Sequence, residues 1–170
     1  AEDTELNRCF NHICEKLDQE DKYICHRDYH SRNLMIKLGN VCVIDFQDAR
    51  MGPIQYDLVS LIHDSYVNLA PEIRDQIIEY YLQQAAGHQP RPISRDHFFE
   101  ILHVQMIQRC FKACGSFSSF FNTRQDRRYL KYIQPTLVKV AACLEDFPDY
   151  HGFLEILQTH DLIEKKYQNL

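Results

Sequence analysis

Glycine is scarce in this chain. Five occur in 170 residues, at positions 39, 52, 87, 115 and 152, and none stands near another. That pattern excludes a glycine-rich turn of the kind whose backbone wraps a phosphate. Long apolar runs are missing too: no stretch approaches the length that crosses a bilayer, and residues 1–20 are polar and acidic, unlike a signal peptide. Neither membrane residence nor secretion is expected, and a cytoplasmic location is. Basic residues are not in excess. The formal net charge of −5 leaves no electrostatic footprint for nucleic acid, and the densest basic cluster, residues 124–131, is interrupted by Asp126 and reads as a solvated helix face. The seven cysteines lack the dense spacing of a disulfide scaffold and the tight pairs of a structural zinc site, so reduced thiols are expected. There is no internal repeat and no low-complexity tract.

What is present suits one compact domain with a real core: 45% apolar residues and 25% charged. Residues 5–17 carry Leu6, Phe10, Ile13, Cys14 and Leu17 at helical spacing. Tyr23, Ile24 and Cys25 form an apolar run too short for a helix and suited to a strand. Two further apolar runs, 34–38 and 41–46, flank Gly39 and Asn40, a two-residue turn signal, so residues 34–46 read as a β-hairpin. Helices are then expected over 57–69, from Pro71 to the stop at Gly87, and from an N-cap at Ser94 to about Cys114. Residues 88–93 read as a proline-rich connector and 115–123 as a serine- and phenylalanine-rich break. Helix resumes over 127–147, kinked or divided at Pro135, and over 152–157. The expected class is α+β and predominantly helical, a small β element followed by about six helices.

The polar ends of the hairpin hold the residues with chemistry. Asp28 and Asn33 are separated by four residues, the interval of the His-Arg-Asp-x4-Asn catalytic loop of kinases. Asp45 follows the second run in Val43-Ile44-Asp45-Phe46, where kinases place a metal-binding aspartate. Phosphoryl transfer needs a carboxylate to orient the acceptor hydroxyl and take its proton, and oxygen ligands that hold Mg²⁺ on the phosphates. A hairpin brings its outer ends together, which makes Asn33 and Asp45 neighbours despite their separation in sequence. As turn and cap residues the three would need no function, because aspartate and asparagine favour such positions.

The stretch from His26 to Ile36, then Val43 to Pro53, then Tyr56-Asp57-Leu58, resembles the aminoglycoside phosphotransferase and choline kinase family. Within it the wording is most like the bacterial kinases that phosphorylate N-acetylmuramate and N-acetylglucosamine. The likeness is strong over residues 24–62 and weaker from Gln108 to Gly115 and beyond. It implies the C-terminal lobe of a protein kinase-like fold, Asp28 as catalytic base, Asn33 and Asp45 as magnesium ligands, ATP as phosphoryl donor, and Asp57 as a buried anchor of the catalytic loop. His26 and His30 read as packed, loop-bracing side chains. Asp48 would position substrate or water, or cap a turn. Arg109 and Lys112 would meet a sugar or phosphate, or lie on a solvated helix face.

Only eleven residues lie between Asp45 and Asp57, and no Ala-Pro-Glu closes that gap, so there is no room for a peptide-docking activation segment. Gln47 stands where Asp-Phe-Gly would put glycine. A small-molecule acceptor is the better reading: an amino sugar first, an aminoglycoside second, with a catalytically inactive kinase-like binding domain as the rival. The catalytic loop begins at residue 26, and no glycine-rich loop or strand lysine precedes it. Residues 1–170 are therefore expected to be a C-terminal lobe without its nucleotide-binding partner, inactive when alone.

Overall fold

Glu2, Asp3 and Glu5 open the first helix, α1 (Glu2–Asp18), where negative charge complements the positive end of the helix dipole. The computed structural model describes residues 1–88 and 92–170. After α1 come β1 (Tyr23–Cys25), a single 3-10 turn (Ser31–Asn33), β2 (Leu34–Lys37), β3 (Asn40–Val43) and β4 (Arg50–Gly52). The helices α2 (Gln55–Ile62), α3 (Pro71–Ala86), α4 (Arg95–Arg124), α5 (Ile133–Glu145) and α6 (His151–Thr159) follow. The chain is thus mainly helical, as expected, and divides into two units: Leu17–Gln105, and Ala1–Lys16 with Met106–Leu170.

In the unit Leu17–Gln105, two antiparallel pairs carry the β structure. β1 pairs with β4, Ile24 opposite Met51, and β2 with β3, Leu34 opposite Val43. Leu58, Val59 and Ile62 bury one face of α2, and Ile78, Phe98, Ile101 and Leu102 are also core residues. Tyr81 donates its hydroxyl to the Ile54 carbonyl at 2.6 Å, tying α3 to the approach to α2. The other unit is organised around buried Ile107, Cys110, Leu137, Val140, Leu144 and Leu157. Phe10, Phe111 and Phe153 meet there, the last two edge to face with centroids 4.9 Å apart.

Several expectations need correction. The hairpin turn is Leu38-Gly39, not Gly39-Asn40: Lys37 pairs with Asn40, and both turn residues have positive φ, 51° and 78°. Residues 50–52 are a strand, too short to show any periodicity. Helix expected over 57–69 occupies Gln55–Ile62 instead, because past Ile62 the Asp64 carboxylate captures the Tyr66 N–H at 2.7 Å and diverts the backbone. The break expected at 115–123 is helix. Phe117 is buried against Tyr129 and Tyr132, and the Ser116 and Thr123 hydroxyls donate to carbonyls four residues back. Residues 124–131 are split between the end of α4 and a 3-10 helix (Arg127–Tyr132), with Gln125 at φ 53° between, so no single helix face carries them. Pro135 sits in the first turn of α5, where its missing N–H costs nothing, and the expected long helix divides just before it. Of the connector 88–93, residues 89–91 lie outside the described residues.

Candidate active site

The loop between β1 and β2 is shaped by backbone groups that find partners on α2. Asp57, in the first turn of α2, accepts the His26 N–H on Oδ2 at 2.6 Å and the Arg27 N–H on Oδ1 at 2.9 Å. Arg27 has φ 75°, a conformation unfavourable for a side chain of its size, and one carboxylate holds its own N–H and that of the residue before it. Further along, the His30 N–H donates to the Asp28 carbonyl and the Asn33 N–H to the His30 carbonyl, which closes the 3-10 turn before β2.

The β2–β3 register then sets the second half of the site. Asn33 precedes β2 and Ile44 follows β3; the Ile44 N–H donates to the Asn33 carbonyl at 3.0 Å. Asp45 comes next, with φ 67°, a region that aspartate tolerates better than most residues. The Asn33 amide reaches both neighbours: Nδ2 donates to the Asp28 carbonyl at 2.9 Å and lies 3.5 Å from Asp45 Oδ2. Gln47 Nε2 donates to Asp45 Oδ1 at 2.7 Å and orients that carboxylate. His26 Nε2 is 2.8 Å from the Ile44 carbonyl, a second tie between the loop and the hairpin.

The structure therefore brings together Asp28, Asn33, Asp45, His26 and Asp57. His30 lies at the back of the loop, its ring edge-on to Tyr66 with centroids 5.3 Å apart. Asp48 is exposed, and its carbonyl accepts from the Arg27 guanidinium at 3.3 Å. Arg109 and Lys112 stand in the part of α4 that belongs to the other unit, Arg109 half-buried and Lys112 exposed. Sequence reasoning overlooked Asp64, which is 5% exposed and accepts the Ser31 N–H on Oδ2 at 2.9 Å. A signal was available: an aspartate just past a helix C-terminus stands at the end whose dipole disfavours negative charge.

Among the described residues no three His, Cys, Asp or Glu side chains cluster as a metal cage. The Asn33 amide oxygen and the Asp45 carboxylate offer two hard donors at an exposed edge instead. That set fits a Mg²⁺ ion, which keeps most of its shell as water and phosphate oxygens, better than it fits a fully enclosed ion.

Residues 2–93 match the phosphotransferase enzyme family, and the chain belongs to that family. The N-acetylmuramate/N-acetylglucosamine kinase of Neisseria meningitidis serogroup B is 35% identical over 151 residues, which is 84% of this chain and 44% of that protein. The proteins of the same name from Pseudomonas aeruginosa and Pseudomonas putida are 32% and 34% identical, over 66% and 65% of this chain and 33% of each of theirs. The chain spans less than half the length of these curated relatives.

Proposed function

We propose that residues 1–170 are the C-terminal, catalytic and acceptor-binding lobe of an ATP-dependent small-molecule kinase, whose acceptor is a hydroxyl of an N-acetylated amino sugar. The observation that carries this reading is the convergence of Asn33 on both the Asp28 backbone and the Asp45 carboxylate. The names of the relatives support the acceptor class. Exposed apolar side chains support the lobe assignment: Ile24 and Ile36 on strands, Leu38 in the hairpin turn and Phe46 between β3 and β4 are 81%, 73%, 93% and 70% exposed. A self-sufficient surface rarely gathers so many, and a nucleotide-binding lobe would cover them.

In this mechanism Asp28 orients the acceptor hydroxyl and takes its proton as the oxygen–phosphorus bond forms and the bond from the γ-phosphorus to the ADP oxygen breaks. Asn33 and Asp45 are the residues that would hold Mg²⁺, which when bound would neutralise charge on the phosphate oxygens. Asp57 fixes the loop and keeps Arg27 in its strained conformation. Gln47 holds the Asp45 carboxylate through Oδ1. The setting proposed is the cytoplasm, where ATP is available.

The test is Asp28→Ala in the full-length protein, assayed by coupled ADP release over a panel of amino sugars. Transfer is expected to fall by about 10²–10⁴-fold, the usual worth of a general base, with an unchanged melting temperature. Undiminished turnover would remove Asp28 from the mechanism. In the same assay residues 1–170 alone are expected to give negligible turnover, since the groups that position ATP are lacking. A rate in the ordinary kinase range, about 1–100 per second, would overturn the lobe assignment.

A further inference from the structure

We propose that Asp64 and Tyr66 are positioning residues for the catalytic loop, forming a second clamp that holds its rear half as Asp57 holds its front. The proposal rests on the kinase reading of the 26–33 loop and adds to it two residues that act through the backbone of that loop.

Asp64 is a buried carboxylate, and burying a charge is costly unless its oxygens are satisfied. Both are, by backbone N–H groups: Tyr66 on Oδ1 and Ser31 on Oδ2. A mere helix stop would account for the Tyr66 bond, which is local. It would not account for the Ser31 bond, which spans 33 residues and ends within the loop. Tyr66 adds two contacts on the same stretch. The Arg32 guanidinium lies 3.7 Å from the centre of its ring, at cation–π distance, and the His30 ring meets it edge-on. Three consecutive loop residues, His30, Ser31 and Arg32, are thus each held by the segment 64–66, immediately before Asn33.

The two clamps share one support. Asp57 stands in the first turn of α2 and grips His26 and Arg27; Asp64 follows its end and grips Ser31. Asp28 lies just beyond one grip and Asn33 just beyond the other. A short helix, buried through Leu58, Val59 and Ile62, therefore acts as a ruler that fixes where Asp28 stands relative to Asn33. Misplacement by about 1 Å is enough to cost on the order of a hundredfold in rate.

The experiment uses the full-length protein with Asp64→Asn, Tyr66→Ala and Tyr66→Phe. Asp64→Asn replaces an acceptor oxygen by an NH₂ that opposes a backbone N–H. It is expected to lower kcat by about 10- to 100-fold per folded molecule, with KM for ATP and sugar changed little, and to speed hydrogen exchange at the Ser31 amide. Tyr66→Ala is expected to lower kcat in the same way, and Tyr66→Phe, which keeps the ring, to recover most of the loss. A lower melting temperature with unaltered kcat and unaltered Ser31 exchange would make the segment purely structural and overturn the proposal. Should Asp64→Asn fail to fold, the Tyr66 pair decides by the same readouts. Failure of the kinase reading shows separately, as Asp28→Ala retaining activity, while the exchange of Ser31 still reports on the clamp.

Discussion

A carboxylate that accepts two successive backbone N–H groups does more for a loop than any single side-chain contact. Asp57 satisfies His26 and Arg27 together, and Arg27 would otherwise relax from its positive φ. Asp57→Ala leaves both donors without that acceptor in a partly buried place, so it is expected to destabilise the protein by about 1–3 kcal/mol, read from urea denaturation midpoints at constant slope. A variant as stable as the parent would show that water replaces the carboxylate without loss. Asp28, Asn33 and Asp45 could be singled out because each is a short polar residue at a fixed interval beside an apolar run, and Asp57 through the family resemblance alone. Asp64 was passed over: its place just past a helix end was a signal, but its Ser31 partner is a backbone group far upstream that leaves no mark in the sequence.

At the scale of elements, the hairpin shows how a displaced turn can leave a site intact. The turn lies one residue earlier than its composition suggests, which moves the strand pairing by two positions. Asn33 and Ile44 remain bonded at the outer end of the pairing, and Asp45, whose φ of 67° takes it out of the strand, still meets Asn33. Leu38 bears the cost. It is 93% exposed and sits at φ 51°, in a turn with positive φ at both central residues, where Asn-Gly is the favoured pair. Leu38→Asn is expected to stabilise the protein by up to about 1 kcal/mol, seen as a higher melting temperature. A lower one would mean that Leu38 has an apolar contact worth more than the strain. The opposite kind of error occurred in α4. Gly115 and the serines after it read as a break, yet packing of Phe117 on two tyrosines continues the helix to Arg124. Intrinsic propensity is a weak preference that such contacts override. The strand β4 was missed for a related reason: three residues cannot show a period, and only pairing with β1 makes them a strand.

For the molecule as a whole, the buried thiols set an alkaline limit on stability. Burial pushes Cys110 up to about 11 and Cys114 and Cys143 up to about 12, against about 9 for an accessible thiol. Unfolding lets these groups lose protons that the folded state retains. Their stabilising effect is therefore complete below about pH 9 and is lost as pH rises from 9 towards 12, at about 1.4 kcal/mol per pH unit for each group. Denaturation midpoints that fall steeply above pH 9, and fall less in Cys143→Ala, would bear this out; a flat profile from 8 to 11 would refute it. At neutral pH the same burial should make exposed Cys14 and partly exposed Cys42 the first thiols to be alkylated.

By itself the sequence determined the helical class, the presence of a hairpin and the identity of the oxygen-bearing side chains at its ends, since these depend on residue type and on spacing along the chain. Only the tertiary structure decided the register of the hairpin, the continuity of α4 and the grip of Asp64 on Ser31. Those are contacts between residues distant in sequence. Their free energy comes from desolvated backbone groups and packed rings that exist only once the chain has folded.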